Sequence, residues 1–335
     1  MSGNKIRVPV LSEKNLLSLN ILWKLNELNK LSVIVMAHDR KQYIKNAVDS
    51  VLKQTLQREL YEIIIVKSFK DSDIDEYIDQ NCERNIYTEE KPVSCKIKEG
   101  ATSATYDIVA LLDDDDQFSE NKLKMIYDSF CNDSSLVYFH NRSKMVDSEG
   151  KFLKFGGAAP DFNLSSIAFR KSAINLDMIG KLSIGLDTFI YTACLDSGKA
   201  MVLNDDLLTI YTFHESVSVF RGTFEEAMSF NCKTALSFIS SLDIFMKYAK
   251  REEVKNILIT SRTKFNLNYS IYETIRSGKR VKGVKFSNVL KFLFTKTRLS
   301  LPFKTRLIKV AEYYFPKGIT LWVEKRRFKS GSRPT

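Results

Sequence analysis

The sequence predicts an α/β fold, a mixed sheet of largely buried strands flanked by helices, with a basic helical extension at its C-terminal end. Three observations lead there. Apolar runs rich in β-branched residues, LSVIV (31–35), YEIIIV (61–66) and IVALL (108–112), alternate with amphipathic helical patterns, as parallel strands covered on both faces do. The 335 residues are 44% apolar with only 13 Gly and 6 Pro, enough to bury a core and too long for one core alone, so a large domain with an appended module is expected. Charge is divided along the chain: residues 250–335 carry 22 Lys+Arg against 5 acids, whereas residues 1–249 carry 29 against 35. The two parts therefore face different partners, and the basic part suits a phosphate-bearing one.

Taken in order, Leu16, Leu17, Ile21, Leu25 and Leu28 recur near helical spacing and predict an N-terminal amphipathic helix in residues 1–30, packed on the body. The first strand runs into the loop Met36–Arg40. Ile44, Ala47, Val48, Val51 and Leu52 then mark one face of a helix between Tyr43 and Gln54. The second strand (61–66) precedes an acidic helix around Ile74–Ile78, and the third (108–112) ends in four aspartates. Sheets of this kind bind ligands outside the C-terminal ends of their strands, so residues 31–120 read as a nucleotide-binding half. From 136 onward shorter strands are expected at LVYFH (136–140), SSIAFR (165–170), AMVLN (200–204) and LLTIYTFHES (207–216). A turn at 147–151, the Gly-containing FGGAAP (155–160) and a helix from Asp187 to Ser197 lie between them. Long helical patterns run from about Phe224 to Lys250 and from Glu253 to Arg276. The α/β domain thus spans residues 31–220 and the helical basic extension residues 221–335.

No apolar run reaches the ~18 residues a spanning helix needs, and no basic-then-apolar leader opens the chain, so integral membrane and classically secreted forms are not expected. The five cysteines, Cys82, Cys95, Cys131, Cys194 and Cys232, are odd in number and form no CxxC pair. That argues against a disulfide framework or a structural zinc site, and for a reducing cytoplasm.

The strongest chemical signal is LLDDDDQF (111–118), a buried strand running directly into Asp113, Asp114, Asp115 and Asp116. Adjacent carboxylates repel one another unless a cation or several hydrogen-bond donors sit among them. A hard cation such as Mg²⁺ or Mn²⁺ takes one or two carboxylates together with phosphate oxygens, which a nucleoside diphosphate offers. A solvated acidic turn, or helix N-terminal charge ahead of Glu120–Lys124, is the plainer alternative. Its place at the end of a central strand favours the cation.

Several pieces, in order, resemble the GT-A glycosyltransferases of family 2, inverting enzymes that use sugar nucleotides. They are SVIVMAHDR (32–40), YIKNAVDSVLKQT (43–55) with its Ser-x-x-x-Gln-Thr ending, YEIIIV (61–66), LLDDDDQFSENKL (111–123), SSIAFRK (165–171), GLDTFIYTACLDSGKA (185–200) and IYTFHESVS (210–218). The resemblance covers about residues 31–220 and implies a GT-A fold in which residues 121–220 form the acceptor half. It implies that Ala37, His38, Asp39 and Arg40 adjoin the donor, that Asp113 contacts the donor ribose with Asp114 beside it, and that Asp115 and His214 hold Mn²⁺ or Mg²⁺ at the diphosphate. It also implies that Asp187 is the catalytic base. A helix N-terminal charge is the ordinary alternative for Asp187, but inverting transfer needs one carboxylate near the acceptor hydroxyl. The chain departs from the family pattern after the second strand, where Lys67-Ser68-Phe69-Lys70 replaces Asp-Asp-Gly-Ser. Asp71 or Asp73 can replace only a later acid of that motif, so the nucleobase is not specified.

In the tail, Val289, Phe292 and Leu293 cluster among Lys291, Lys296 and Arg298, and Leu307, Val310, Tyr314 and Trp322 repeat the theme. Basic amphipathic segments with aromatics suit an interfacial position on anionic lipid; packing of the same stripes on the catalytic domain is the alternative. Together with the resemblance, the expectation is a peripheral enzyme on the cytoplasmic face of a membrane, using a nucleotide-sugar donor and a glycan or polyprenyl-phosphate-linked acceptor. Two other functions compete. A nucleotidyltransferase shares the nucleotide site and metal carboxylates, but it more naturally carries a Gly-rich loop after the first strand, which MAHDRKQY (36–43) lacks. A nucleic-acid-binding protein would use the basic tail, yet no helix-turn-helix, zinc finger or RNP-like motif is visible.

Overall fold

The computed structural model describes residues 29–147, 149–153, 163–213, 222–315 and 319–329. The N-terminal amphipathic helix, the FGGAAP segment and His214 fall outside the described residues.

The three apolar runs form the parallel centre of one sheet. β1 (Leu31–Ala37) lies between β2 (Tyr61–Lys67) and β4 (Ile108–Asp113), parallel to both, and every residue of β1 and β2 is buried. β3 (Arg84–Tyr87) continues beyond β2 in the same direction. Register pairs Ala37 with Lys67 and Met36 with Asp113, so the loops after β1, β2 and β4 emerge together. The remainder is mixed. β7 (Ile167–Arg170) is antiparallel to β4, β6 (Leu136–Val146) is antiparallel to β7, β8 (Ala200–Thr212) is parallel to β6, and the two-residue β5 (Gln117–Phe118) is antiparallel to β8. The order across the eight strands is β3-β2-β1-β4-β7-β6-β8-β5.

Period-two alternation splits the central strands between two cores. Val33, Val35, Ile63, Ile65, Ala110 and Leu112 pack with α1 (Ile44–Leu52) through Ala47, Val48 and Val51, and with α4 (Lys122–Asn132) through Leu123, Ile126 and Phe130. α2 (Ser72–Asn81) adds Ile74 and Ile78 to that side. On the other face, Ile34, Met36, Ile64, Val66, Val109 and Leu111 meet Ile97 and Ala101 of α3 (Val93–Ser103) and, beyond the short α5 (Leu176–Ile179), Phe189 and Ile190 of α6 (Leu186–Asp196). Each such side chain contributes about 1.5–3 kcal/mol of burial, which is why these runs form strands irrespective of their loops. α3 lies so close to β1 that a Cβ on Gly100 would come within 2.6 Å of Ile34 Cγ2.

Two long helices, α7 (Phe224–Met246) and α8 (Glu252–Ser277), follow. Leu242, Phe245, Val254, Ile257 and Leu258 join the second of the two cores, and Phe238 stacks on Phe265 at 4.1 Å between ring centroids. The far ends of these helices, with α9 (Phe286–Phe294), α10 (Phe303–Tyr314) and α11 (Ile319–Lys329), build a separate core from Met228, Leu267, Ile271, Val289, Phe292, Leu293, Val310 and Tyr313. The stripe Val289, Phe292 and Leu293 therefore packs neither outward nor on the α/β sheet, but against the helices of its own module. Leu307 and Trp322, grouped with Val310 by sequence, are exposed.

Other differences from the sequence reading have simple causes. The two strands expected at 200–204 and 207–216 are one strand, β8, because its pairing with β6 slips between His140 and Ser143 and breaks the alternation that marks a continuous strand. SSIAFR opens as a 3₁₀ turn, Leu164–Ser166, before β7. Residues 84–103, unassigned from sequence, form β3 and α3; β3 is exposed or half-exposed throughout and so carries no apolar run.

Candidate active site

The acidic run stands where the strand ends, and the first helix keeps it there. Ser50 Oγ accepts the Phe118 N–H at 3.0 Å, Gln54 Nε2 donates to the Ser119 carbonyl at 2.8 Å, and Gln54 Oε1 accepts the Leu123 N–H at 2.8 Å. Thr55 N–H donates to the Glu120 carbonyl at 2.9 Å. The Ser-x-x-x-Gln-Thr ending thus clamps the segment after the aspartates to α1.

Exposure alternates through the run as it does along a strand: Asp113 and Asp115 keep only a minor part of their surface in water, and Asp114 and Asp116 are buried. The two buried carboxylates have different supports. Asp114 accepts the His38 N–H at 3.0 Å and Arg40 Nη2 at 2.8 Å, while its own N–H donates to the Met36 carbonyl at 3.2 Å. Asp116 accepts Ser165 Oγ at 2.5 Å and the Thr212 N–H at 3.0 Å, and Ser165 Oγ in turn accepts the Asp113 N–H at 3.0 Å. Arg40 also forms an ion pair with Asp115, so one guanidinium bridges two members of the run. Burial, then the neighbouring carboxylates, hold the Asp113 carboxyl well above the usual range; burial raises Asp114 despite His38 and Arg40, and burial followed by Asp115 pushes Asp116 up to about 7. Such crowding is an electrostatic environment that favours an added cation.

Ala37, His38, Asp39 and Arg40 are brought beside Asp113, Asp114 and Asp115 by the pairing of β1 with β4. Ala37 is buried at the end of β1, which leaves its backbone as the part that adjoins the loop. His38 and Asp39 are exposed, with His38 Nε2 3.1 Å from Asp39 Oδ1. Asp71 caps α2, accepting the Ile74 N–H at 3.3 Å, and takes Lys41 Nζ at 3.0 Å; the Lys41 hydrogen bond holds its carboxyl below the usual range. Lys67, the first residue of the departing motif, is buried against Asp75 at 2.6 Å, and Asp73 is exposed. Asp187 lies in the first turn of α6, after Gly185 at φ 70°, and accepts the Thr188 N–H at 2.6 Å. Burial raises its carboxyl despite that bond. Asp187 is among the groups that act on the buried Tyr138, whose hydroxyl is pushed up chiefly by burial.

Three supporting residues were not legible in sequence. Ser165 is the hinge between Asp113 and Asp116, and its carbonyl accepts buried Lys122, which also donates to Thr209 Oγ1 at 2.9 Å. Lys96 is buried on α3, donates to the Lys91 carbonyl at 2.8 Å, and feels Asp114 and Asp39; burial lowers its pKa against their pull. The spacing Val93, Ile97, Ala101 marks that helix, but nothing local marks Ser165 as a partner of residues 113–116. Among the described residues, no group of three His, Cys, Asp or Glu side chains is arranged to hold a metal ion.

Residues 32–176 match the family model described as glycosyl transferase family 2. An uncharacterized glycosyltransferase of Rickettsia bellii (strain RML369-C) is 29% identical over 130 residues, 37% of this chain, and the chain spans 18% of that relative's length. Among solved structures, S. aureus TarS 1–349 in complex with UDP-GlcNAc gives a TM-score of 0.53 at 14% identity, covering 91% of this chain and 93% of that one. The mannosyltransferase PcManGT from Pyrobaculum calidifontis, in complex with GDP-Man and Mn²⁺, gives 0.50 at 11% identity, covering 90% and 95%. At those identities the solved structures speak to the fold alone, and they extend the likeness into the C-terminal helices. Over residues 32–176 the chain therefore matches the glycosyl transferase family 2 model, on a fold of the GT-A kind.

Proposed function

We propose that this protein transfers a sugar from a nucleotide-sugar donor to a hydroxyl of a glycan or lipid-linked acceptor, with inversion at the anomeric carbon. The observation that carries this reading is the gathering of Asp113, Asp114 and Asp115 at the end of β4 against the β1 loop, within the stretch that matches the family 2 model. The family match also favours sugar transfer over nucleotidyl transfer.

A hard divalent cation, Mn²⁺ or Mg²⁺, would draw few ligands from the protein here, since no three described acids, histidines or cysteines are arranged around one point. Burial and neighbouring carboxylates hold Asp113 and Asp116 up, and Arg40 pairs with Asp114 and Asp115. Asp115 would hold the ion together with His214, the remaining ligands being phosphate oxygens, as these ions prefer. Bound there, the cation supplies charge neutralisation to the departing diphosphate, worth several kcal/mol. The chain's own residues do the rest. Asp113 and Asp114 with the His38–Arg40 loop bind and orient the donor, and Arg40 can exchange Asp115 for the diphosphate. Asp187, its carboxyl raised towards the pH of the reaction by burial, takes the acceptor proton as the new bond forms. The relatives bind UDP-GlcNAc and GDP-Man, which supports a nucleotide-sugar donor here and sets the span of bases to be tried.

The deciding experiment is a thermal-shift panel of UDP-, GDP- and dTDP-sugars with and without Mn²⁺, followed by NMR of the product's anomeric configuration. A true donor at ~100 times its dissociation constant stabilises by about 2.7 kcal/mol. If no sugar nucleotide shifts the melt or is hydrolysed, the reading fails.

A further inference from the structure

α9 and α10 each carry two apolar faces. The inner faces, with Val289, Phe292, Leu293, Val310 and Tyr313, make the module's core. The outer ones are exposed. Phe286, Leu290 and Phe294 follow one another at every fourth position of α9, and Phe303, Leu307, Ala311 and Phe315 do so along α10 and its C-terminal cap. The stripes meet where the rings of Phe294 and Phe303 lie 6.2 Å apart. They run about 12 Å along one helix and 18 Å along the other at 1.5 Å per residue. Phe286, Phe294 and Phe315 are 65%, 69% and 68% exposed, and of the sixteen large apolar side chains exposed among the described residues, nine lie beyond residue 280. A concentration of this kind marks a surface that is covered in use.

The charge around it is predominantly positive, with Glu253 taken up by Arg298 at 3.2 Å just past the end of α9. After Glu273 the chain has two acids, Glu312 and Glu324, and both are buried in ion pairs with Arg327. The charged side chains at the stripes are thus the exposed Lys285, Lys291, Lys296 and Lys304.

We propose that this paired face of α9 and α10 is a membrane-docking surface that takes the interfacial layer of an anionic bilayer, with Phe286, Phe294, Phe303 and Leu307 among the acyl chains and the lysines on lipid phosphates. An excess of exposed lysines, with Glu253 paired to Arg298, selects an anionic surface. Continuous Phe and Leu stripes need an apolar phase, which a nucleic acid backbone does not offer. Among the described residues, no helix is long and apolar enough to cross a membrane, so the contact lies in the plane of the interface. The inference is independent of the sugar-transfer reading, because it concerns where the chain is held and uses none of the donor-site residues.

The test is flotation of the full chain with vesicles of phosphatidylcholine alone and of phosphatidylcholine mixed with phosphatidylglycerol. The wild type floats with the mixed vesicles and releases partly, not wholly, as salt rises. The double variant Phe294→Ser/Phe303→Ser changes only exposed side chains, so it keeps its melting temperature and donor-induced thermal shift while losing about tenfold or more of its vesicle binding. Lys291→Glu/Lys304→Glu loses binding to mixed vesicles and most of the salt response. Equal flotation of the serine variant and the wild type overturns the proposal, as does failure of the wild type to float. So does a preference for an RNA or DNA oligonucleotide over mixed vesicles at matched salt, or a dimer that the serine variant dissolves with flotation unchanged.

Discussion

The carboxylates after β4 and the ions among α8, α10 and α11 are both withdrawn from water, but they are balanced in different ways. In the helical module, Arg327 pairs with Glu324 and with Glu312 at 3.1 Å, Lys309 donates to Asn268 Oδ1 at 2.8 Å, and Arg306 Nη1 donates to the carbonyls of Phe292 and Thr295 at 2.9 and 3.0 Å. Opposite charges and carbonyl acceptors meet there, with Arg306 Nε left without a hydrogen-bond partner. At the end of β4, four adjacent carboxyls are crowded with Arg40 across two of them, and burial, followed by neighbouring carboxylates, drives Asp113 and Asp116 up. In the helical module the buried acids each meet a cation, whereas at the end of β4 carboxyls of one sign outnumber the single guanidinium that reaches them.

The largest effect that would test this contrast is on turnover. Asp115→Ala should cut it by several kcal/mol, about 10³-fold, and remove metal-linked nucleotide binding while leaving the melting temperature near wild type, since the lost ion pair with Arg40 is offset by relief among the neighbouring carboxyls and Arg40 keeps Asp114. Full activity of that variant, or of wild type in EDTA, would place the cation elsewhere.

Next comes Asp187→Asn, which keeps size and removes basicity: donor binding survives and transfer falls by roughly 10²–10⁴. Because burial raises the Asp187 carboxyl, it ionises at higher pH than an ordinary aspartate. The acid limb of the wild-type rate profile should therefore lie at higher pH than an ordinary aspartate gives and vanish from the residual activity of the variant. A profile of unchanged shape in Asp187→Asn assigns the limb to another group.

In the helical module the loss should appear in stability. Arg327→Met leaves Glu312 and Glu324 buried without their cation and should cost about 3 kcal/mol by denaturant unfolding, with the specific activity of folded protein on a short soluble acceptor unchanged. Equal loss of activity per folded molecule would show that the two regions are coupled.

The smallest effect concerns pH, where the two regions have opposite signs. Asp116 moves from 3.8 to about 7, so the folded state keeps a proton that the unfolded state releases, and its contribution to stability declines as pH rises through that window. Lys309 moves from 10.5 to about 8, so the unfolded state binds the extra proton and stability rises between those values. Melting curves across pH should show both slopes, at most about 1.4 kcal/mol per unit each, and Lys309→Met should erase the alkaline one while changing stability at neutral pH by no more than about 1 kcal/mol. An alkaline slope that persists in Lys309→Met assigns it to another group.

Much of the central sheet, and the meeting of the β1 loop with the aspartates after β4, was legible because the determinants are contiguous. The runs 31–35, 61–66 and 108–112 announce buried strands by composition, and the aspartates stand directly at the end of one of them. The spacing of Ser50 and Gln54 belonged to a recognisable motif, but its work, clamping residues 118–123, emerges only when the two segments meet. The roles of Asp114 and Asp116 could not be separated from sequence for a similar reason: one faces His38 and Arg40, the other Ser165 and Thr212, partners 49 to 96 positions away in the chain.

By itself, then, the sequence determined the alternation of strands and helices, the place of the acidic run, the division of charge and the basic amphipathic character of the tail. Periodicity, composition and position along a strand are local properties, and each carries its own free energy of burial or repulsion. Tertiary structure decided which acids are shielded and by what, that β8 is one slipped strand, and which face of each tail helix is inward. Val289 and Phe294 lie on one short helix with similar hydrophobicity, and no local rule distinguishes them. Contact with α8 and α10 buries the first and leaves the second exposed, because burial depends on what the rest of the chain brings alongside.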